Sequence, residues 1–252
     1  MGVPTRDDEI EGRDGTPVGR RAALGLLGLG VAGIAFGSAA QGVISRALAP
    51  LAAVDPIGLT SLIPGSGGFR IYTVTGNLPK RSRADWKLKI AGLVEHPFTI
   101  GFTELAEMKP TGLTADFQCV TGWRVDGVKW KGVKLADLLD RAGVQDAGTH
   151  LRLTSFDGAY SESLTLAQAR RDDVLVAYQL LGKGIGYEHG GPVRLYVAPM
   201  YGYKSLKWLD TITVVDRLIP GYWEDRGYDV DAWVGKSNGR DDDPTPVSGS
   251  GR

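Results

Sequence analysis

Hydrophobic and polar positions change their period several times along the chain, and the changes mark its elements. Trp86-Lys87-Leu88-Lys89-Ile90 alternates in the way of a strand with one buried face. Leu135, Leu138 and Leu139 in LADLL share one face of a 3.6-residue period, which predicts a short amphipathic helix. Further strands are predicted at 150–154 (HLRLT), 174–178 (VLVAY), 193–197 (VRLYV) and 211–215 (TITVV). Short strands divided by glycine-rich turns, with few and short helices, predict a mixed, β-rich α+β fold.

The same pattern divides the chain. Residues 1–17 mix charges with Gly and Pro and show no apolar period; Arg20-Arg21 then precedes an apolar, glycine-rich run from Ala22 to Ala40, and no charge returns until Arg46. A basic pair before an apolar run is an export signal, here of twin-arginine type. Leu24 keeps the usual twin-arginine pattern, whereas Gly19 and Ala23 depart from it. The run is also just long enough to cross a bilayer, and Ser38-Ala39-Ala40 offers small residues for cleavage. A cleaved signal and a membrane anchor through 22–45 therefore both stay open. The expected organisation is a signal or anchor over 1–45, a linker over 46–68, a compact domain over 69–235 and a disordered tail over 236–252.

Composition narrows the chemistry. The chain is 42% hydrophobic and 23% charged, the make-up of a folded domain. Its 29 basic and 29 acidic residues leave no net charge, which argues against nucleic acid as the main partner. One cysteine excludes an intrachain disulfide and an all-cysteine zinc site. His96, His150 and His189 stand too far apart for zinc-site spacing. Within 69–235 there is no GxxxxGK[ST], GxGxxG or GxSxG, so neither a nucleotide fold nor a serine hydrolase has support.

Two segments concentrate reactive side chains. Cys119 lies in ADFQCVTGWRVDGVKWKGV with Arg124 five positions on. A nearby cation favours the thiolate, the form that binds a metal or attacks an electrophile. A lone cysteine also serves as an inert core residue, and the spacing does not separate the two. The second segment runs His189-Gly190-Gly191-Pro192-Val193-Arg194, then Tyr201-Gly202-Tyr203-Lys204-Ser205-Leu206-Lys207-Trp208. Planar Arg194, the ammonium groups of Lys204 and Lys207 and the Ser205 hydroxyl, on glycine-permitted turns, suit a bound phosphate. A solvated basic turn has the same composition.

Taken together these residues resemble the sulfite oxidase family of molybdopterin enzymes. The resemblance spans Phe69 to Trp233. It is carried by the cysteine segment with WKGVKLADLL behind it, and by HGGPVRLYV followed four residues later by GYKSLKW. Within the family the chain is more similar to the exported bacterial reductases of protein methionine sulfoxide. The resemblance implies a sulfite oxidase-type molybdopterin-binding domain without the family's C-terminal dimerisation domain. It also implies a molybdenum-molybdopterin (Mo-pyranopterin) cofactor whose only protein ligand is Cys119, a soft thiolate suited to a metal that already carries sulfur donors. His189, Arg194, Lys204, Ser205 and Lys207 would hold the pterin and its phosphate, with Thr154 at the end of HLRLT. Thr75 and Asn77 in YTVTGNLP would do so on the N-terminal side. Arg124 falls where the family keeps a substrate-side arginine, though an ion-pair role suits it equally. Tyr228 matches an active-site tyrosine, and a packing role suits it as well.

One departure bears on the substrate. Sulfite oxidases carry an arginine where this chain has Thr75. Loss of a hydrogen bond to a charged group typically weakens binding by ~1.5–3 kcal/mol, which disfavours sulfite. The expected activity is oxygen-atom transfer that reduces S- or N-oxides such as methionine sulfoxide, free or protein-bound. With no CxxCH and no further cysteine for an iron–sulfur cluster, electrons have to come from a separate partner, a membrane haem protein or cytochrome. The expected location is the periplasm or the outer face of the cytoplasmic membrane, because a cofactor inserted in the cytoplasm requires export of folded protein and the twin-arginine route carries folded cargo. The competing readings are a sulfite dehydrogenase feeding a cytochrome and a cofactor-free, membrane-tethered binding module.

Overall fold

The computed structural model describes residues 69–236. The expected leader, linker and tail fall outside the described residues, apart from the tail's first residue, Lys236. Among the described residues no helix is long and apolar enough to cross a membrane.

Ten strands and three short α-helices follow in the order β1 (Lys87–Gly92), β2 (Phe98–Gly101), α1 (Phe102–Glu107), β3 (Thr111–Gln118), β4 (Arg124–Lys134), α2 (Leu135–Ala142), β5 (His150–Ser155), β6 (Ser161–Thr165), α3 (Leu166–Ala169), β7 (Val174–Leu180), β8 (Lys183–Gly184), β9 (Arg194–Val197) and β10 (Leu209–Val215). They form two sheets. The first has the order β2-β1-β10-β5-β6, in which only β1 and β10 are parallel. The second has the order β3-β4-β7-β8, with β9 also paired to β7. The strands predicted from alternation and apolar runs are present as β1, β5, β7, β9 and β10, and LADLL opens α2. The structure adds β2, β3, β4, β6 and β8.

β7 explains the unbroken apolar run VLVAY. Val174, Val176 and Tyr178 face the main core, where they meet Trp86, Leu88 and Ile90 of the first sheet's side and Leu135, Leu138 and Leu139 of α2. Leu175 and Ala177 face a second cluster made by Phe117, Trp123, Val128, Trp130 and Tyr196. A strand covered on both faces loses the polar half of its alternation. β9 behaves likewise, with Leu195 and Val197 in the main core and Tyr196 in the second cluster. α2 ends at Gly143, whose left-handed φ of 66° lets its N–H bond back to the Leu139 and Asp140 carbonyls.

The second cluster is the floor beneath the reactive segments. Arg194 is the residue before Leu195 on β9, and Cys119 and Ala198 pack against the cluster's edge. The β3–β4 pairing shifts register between Ala115 and Phe117, three residues before the cysteine. Such a bulge bends the strand and re-aims the residues that follow it.

Candidate active site

Cys119 ends β3 in a tight turn closed on both sides. Its N–H donates to the Trp123 carbonyl at 2.9 Å, and Gly122 N–H donates to the Cys119 carbonyl at 3.0 Å. Thr121 Oγ1 donates to Sγ at 3.2 Å. Burial raises the thiol's pKa above the ordinary cysteine value, against the opposing pull of the Thr121 hydroxyl, the Arg70 charge and the Trp123 indole. Three thiolate-stabilising groups in a desolvated turn describe a sulfur that becomes an anion once a cation meets it. Among the described residues no group of three or more His, Cys, Asp or Glu side chains is placed to hold a metal ion. A metal at Cys119 has to bring its other donors with it.

The His189–Lys207 segment folds back on itself through Arg194. The guanidinium donates to the His189 carbonyl (Nη1, 2.7 Å), the Ser205 carbonyl (Nη2, 2.7 Å) and the Leu195 carbonyl (Nε, 3.3 Å). It thereby clamps the two halves of the motif. It also lies 5.7 Å and 5.5 Å from the Phe117 and Trp130 ring centres. These partners are neutral, and burial lowers the Arg194 pKa to about 10. The Ser205 hydroxyl accepts from Val197 N–H at 3.0 Å.

Lys207 is the half-buried cation of the segment. Its ammonium donates to the Tyr72 carbonyl at 3.1 Å and the Glu188 carbonyl at 3.0 Å. Burial, then the like charge of Arg194, lower its pKa to about 7 in spite of Glu188. Gly190 makes the closeness possible. It has φ +94°, and a Cβ there would sit 2.6 Å from the Lys207 Cβ. Burial lowers the His189 pKa to about 4, so its imidazole is neutral at pH 7 and its 3.8 Å approach to Glu188 is not an ion pair.

Residues 69–73 join the two segments. The Phe69 ring lies 5.1 Å from His189, 5.5 Å from Phe117 and 6.4 Å from Trp123, and Tyr72 stacks on Trp123 at 6.3 Å. The Tyr72 carbonyl is the one that holds Lys207. Within this wall Arg70 Nη2, Thr73 Oγ1 and Trp123 Nε1 are buried without a hydrogen-bond partner. Thr154 lies on β5 opposite Thr211, and its neighbours Ser155 and Phe156 abut Leu209 and Trp208, just beyond Lys207. Trp208 itself has the positive φ of 56°, a conformation uncommon outside glycine.

Five expected site residues lie elsewhere or differently. The Lys204 ammonium is fully buried and gives its three protons to Glu162 Oε1 (2.6 Å), the Ser163 carbonyl (2.6 Å) and Glu224 Oε1. None is left for a phosphate, and the residue's work is structural. Arg124 is exposed and pairs with Asp126 (2.5 Å) and Asp116 (3.8 Å) on its own hairpin. The alternation that buries Trp123 turns Arg124 outward. Thr75 and Asn77 are exposed and form a local turn in which Asn77 N–H donates to Thr75 Oγ1 at 3.3 Å. Tyr228 packs against the rings of Tyr203 (5.5 Å) and Trp223 (5.0 Å). Tyr203 follows Gly202, whose backbone leaves no room for a Cβ beside the Phe117 ring (2.5 Å). The turn bearing Tyr203 is therefore pressed against the strand that delivers Cys119.

The residues fit a large anionic cofactor with its own metal donors. Buried Arg194 and half-buried Lys207 donate to neutral carbonyls, Arg70 Nη2, Thr73 Oγ1 and Trp123 Nε1 lack partners, and one thiol is held in the turn that Trp123 closes. Comparison with known proteins agrees. Residues 75–223 match the oxidoreductase molybdopterin binding domain, and the chain belongs to that family. It is a molybdopterin-dependent oxidoreductase domain of the sulfite oxidase-like kind, and its cofactor is molybdenum-molybdopterin. It is 34% identical over 163 residues to an uncharacterized oxidoreductase, YuiH, of Bacillus subtilis, covering 63% of this chain and 81% of that protein. It is 28% identical to sulfite oxidase of Arabidopsis thaliana (57% of this chain, 45% of that one). It is 30% identical to the protein-methionine-sulfoxide reductase catalytic subunit MsrP of Ralstonia nicotianae (55% and 46%). The chain thus spans about half the length of the last two relatives. Among solved structures, the sulfane dehydrogenase SoxCD of Paracoccus pantotrophus matches with a TM-score of 0.53 at 27% identity, over 57% of this chain and 41% of that one.

Proposed function

We propose that the protein is an exported molybdenum enzyme that reduces S- or N-oxides, methionine sulfoxide in proteins foremost, with electrons from a separate haem-type partner. The balance is substrate oxide plus two electrons and two protons giving the reduced substrate and water. A pyranopterin-bound molybdenum supplies two-electron oxygen-atom transfer when present, and the protein supplies ligation, orientation and electrostatics. Cys119 would ligate the metal. Lys207, recharged by a phosphate, would hold the far end with the Ser205 hydroxyl, the neutral His189 ring and Thr154. Arg194 keeps these in register through the two carbonyls it clamps.

The observation that carries the choice of an oxide over sulfite is that, among the described residues, Arg70 is the one cation whose charge bears on the cysteine. Thr75 is uncharged and exposed, and Arg124 is engaged on the surface. A dianion needs several charge-assisted partners, whereas an S–O or N–O bond presents one polarised oxygen. The likeness to MsrP supports the same reading, and the likeness to sulfite oxidase supports a sulfite dehydrogenase as the alternative. Export rests on Arg20-Arg21 and the apolar run after them. The test is metal analysis of the full chain from a host that makes the cofactor, beside Cys119→Ser, followed by turnover of methionine sulfoxide with a reduced viologen. Near-stoichiometric molybdenum that Cys119→Ser loses or alters, with sulfoxide turnover, supports the proposal. Sulfite-dependent cytochrome c reduction without sulfoxide turnover selects the alternative, and well-folded protein without molybdenum or pterin rejects both.

A further inference from the structure

Buried polar atoms without partners are rare, and each costs about 1–3 kcal/mol when nothing meets it. Two of those in this protein flank the cysteine turn. Arg70 sits between Phe69 and Tyr72, whose rings both lie on Trp123, and Trp123 closes the turn through the Cys119 N–H. Arg70 Nη2 and Trp123 Nε1 are the orphaned atoms: both lie near enough to the Cys119 sulfur to favour its thiolate, and neither makes a hydrogen bond of good geometry to it. Among the described residues Arg70 is the only lysine or arginine with a buried N–H left unmet. Arg194, Lys204 and Lys207 direct theirs to named carbonyls and carboxylates, and Arg124 lies on the surface. Arg70 also lies five residues before Thr75, the position at which a cation would be sought first.

We propose that Arg70 and the Trp123 indole N–H bind the oxide oxygen of the substrate beside Cys119. The proposal rests on the reading of the protein as an oxide reductase and names its substrate-binding residues. One guanidinium and one indole donor match a single partly charged oxygen. Both groups donate hydrogen bonds only. The oxygen leaves as water with two protons from solvent and two electrons from the reductant, and Arg70 keeps its own protons. Arg70 enters from residues 69–73, five positions before Thr75, and supplies one charge-assisted donor to the oxide.

The experiment uses molybdenum-loaded full chain, Arg70→Met and Arg70→Lys, with free methionine sulfoxide, reduced viologen and sodium sulfate as a competing oxyanion. Molybdenum per protein and the urea unfolding midpoint establish that each variant is loaded and folded. The expected result for Arg70→Met is a rise in KM on the order of tenfold or more at unchanged molybdenum content. Loss of the sulfate-induced change in the molybdenum EPR spectrum should accompany it, and Arg70→Lys should recover part of both. An unchanged KM and sulfate response in loaded Arg70→Met overturns the proposal. So does a fall in molybdenum content with an unchanged KM for the loaded fraction, which makes Arg70 a cofactor-holding residue. Wild-type protein without molybdenum fails the functional reading itself, and this inference with it.

Discussion

Lys204 and Glu224 form an ion pair to which solvent has essentially no access, and the pair joins the turn before β10 to the turn that carries Tyr228. Glu162 on β6 completes a triad with one cation and two carboxylates. Burial, together with Glu224, raises the Glu162 pKa to about 8 although Lys204 opposes it. At neutral pH one carboxyl thus stays protonated and the charges balance. Glu162 and Glu224 in turn outweigh burial and raise the Lys204 pKa. Lys204→Met strands a buried carboxylate and should cost about 3–5 kcal/mol in urea unfolding. Adding Glu224→Gln to that variant should recover part of the loss.

Lys207 sets a pH dependence of the opposite kind. Its folded pKa of about 7 lies below the ordinary lysine value of 10.5, so in cofactor-free protein the unfolded chain binds the extra proton between these values. The stability associated with this group is present above pH 10.5 and is lost as pH falls through 7. Lys207→Met in cofactor-free protein should therefore exceed wild type most below pH 7. The advantage should shrink by about 1.4 kcal/mol per pH unit above it. Loaded protein should show no such advantage, because an anion on Lys207 removes the penalty. Denaturant titrations across pH 6–10 read both outcomes.

Gly190→Ala tests the approach of the two halves of the motif. Alanine at φ +94° is strained, and its methyl would meet the Lys207 stem at 2.6 Å. A loss of roughly 1–3 kcal/mol is expected from the backbone alone. Molybdenum content should fall with it, since Lys207 cannot retreat without leaving the Tyr72 and Glu188 carbonyls. Metal analysis beside thermal unfolding separates the two effects.

Arg124→Ala should be nearly silent. The side chain is 54% exposed and its partners Asp116 and Asp126 are exposed too. Surface pairs of this kind contribute about 0–1 kcal/mol. Steady-state kinetics on loaded protein should give kcat and KM close to wild type.

What the sequence made legible follows from physics. β7 and β9 were readable because strands covered on both faces become apolar runs, and β1 because one covered face leaves alternation. β3 and β4 escaped notice for the converse reason. TGLTADFQ is an edge strand with small and polar side chains, and β4 carries Gly127 and Gly132 within an otherwise alternating pattern. Within the candidate site, Lys204 and Lys207 look alike in sequence. A short 3-10 turn over Gly202–Lys204 separates them and sends one into the carboxylates and the other toward Tyr72. Arg70 gave no signal at all, because an unmet N–H is a property of packing and has no spacing to betray it.

The double covering of β7 has a further consequence for how a large cofactor is taken up. One strand serves as a wall of the hydrophobic core and as a wall of the aromatic floor beneath Cys119. Loosening it to widen the site would open the core as well, so β7 belongs to the last unit of the protein to come apart. Its amides should be among the slowest to exchange with deuterium, loaded or not. Insertion of the cofactor then has to proceed through the segments laid over that floor, residues 69–73, 119–123 and 201–208. Slowed exchange on loading should be confined to these segments, with the sheet as the fixed frame against which they close.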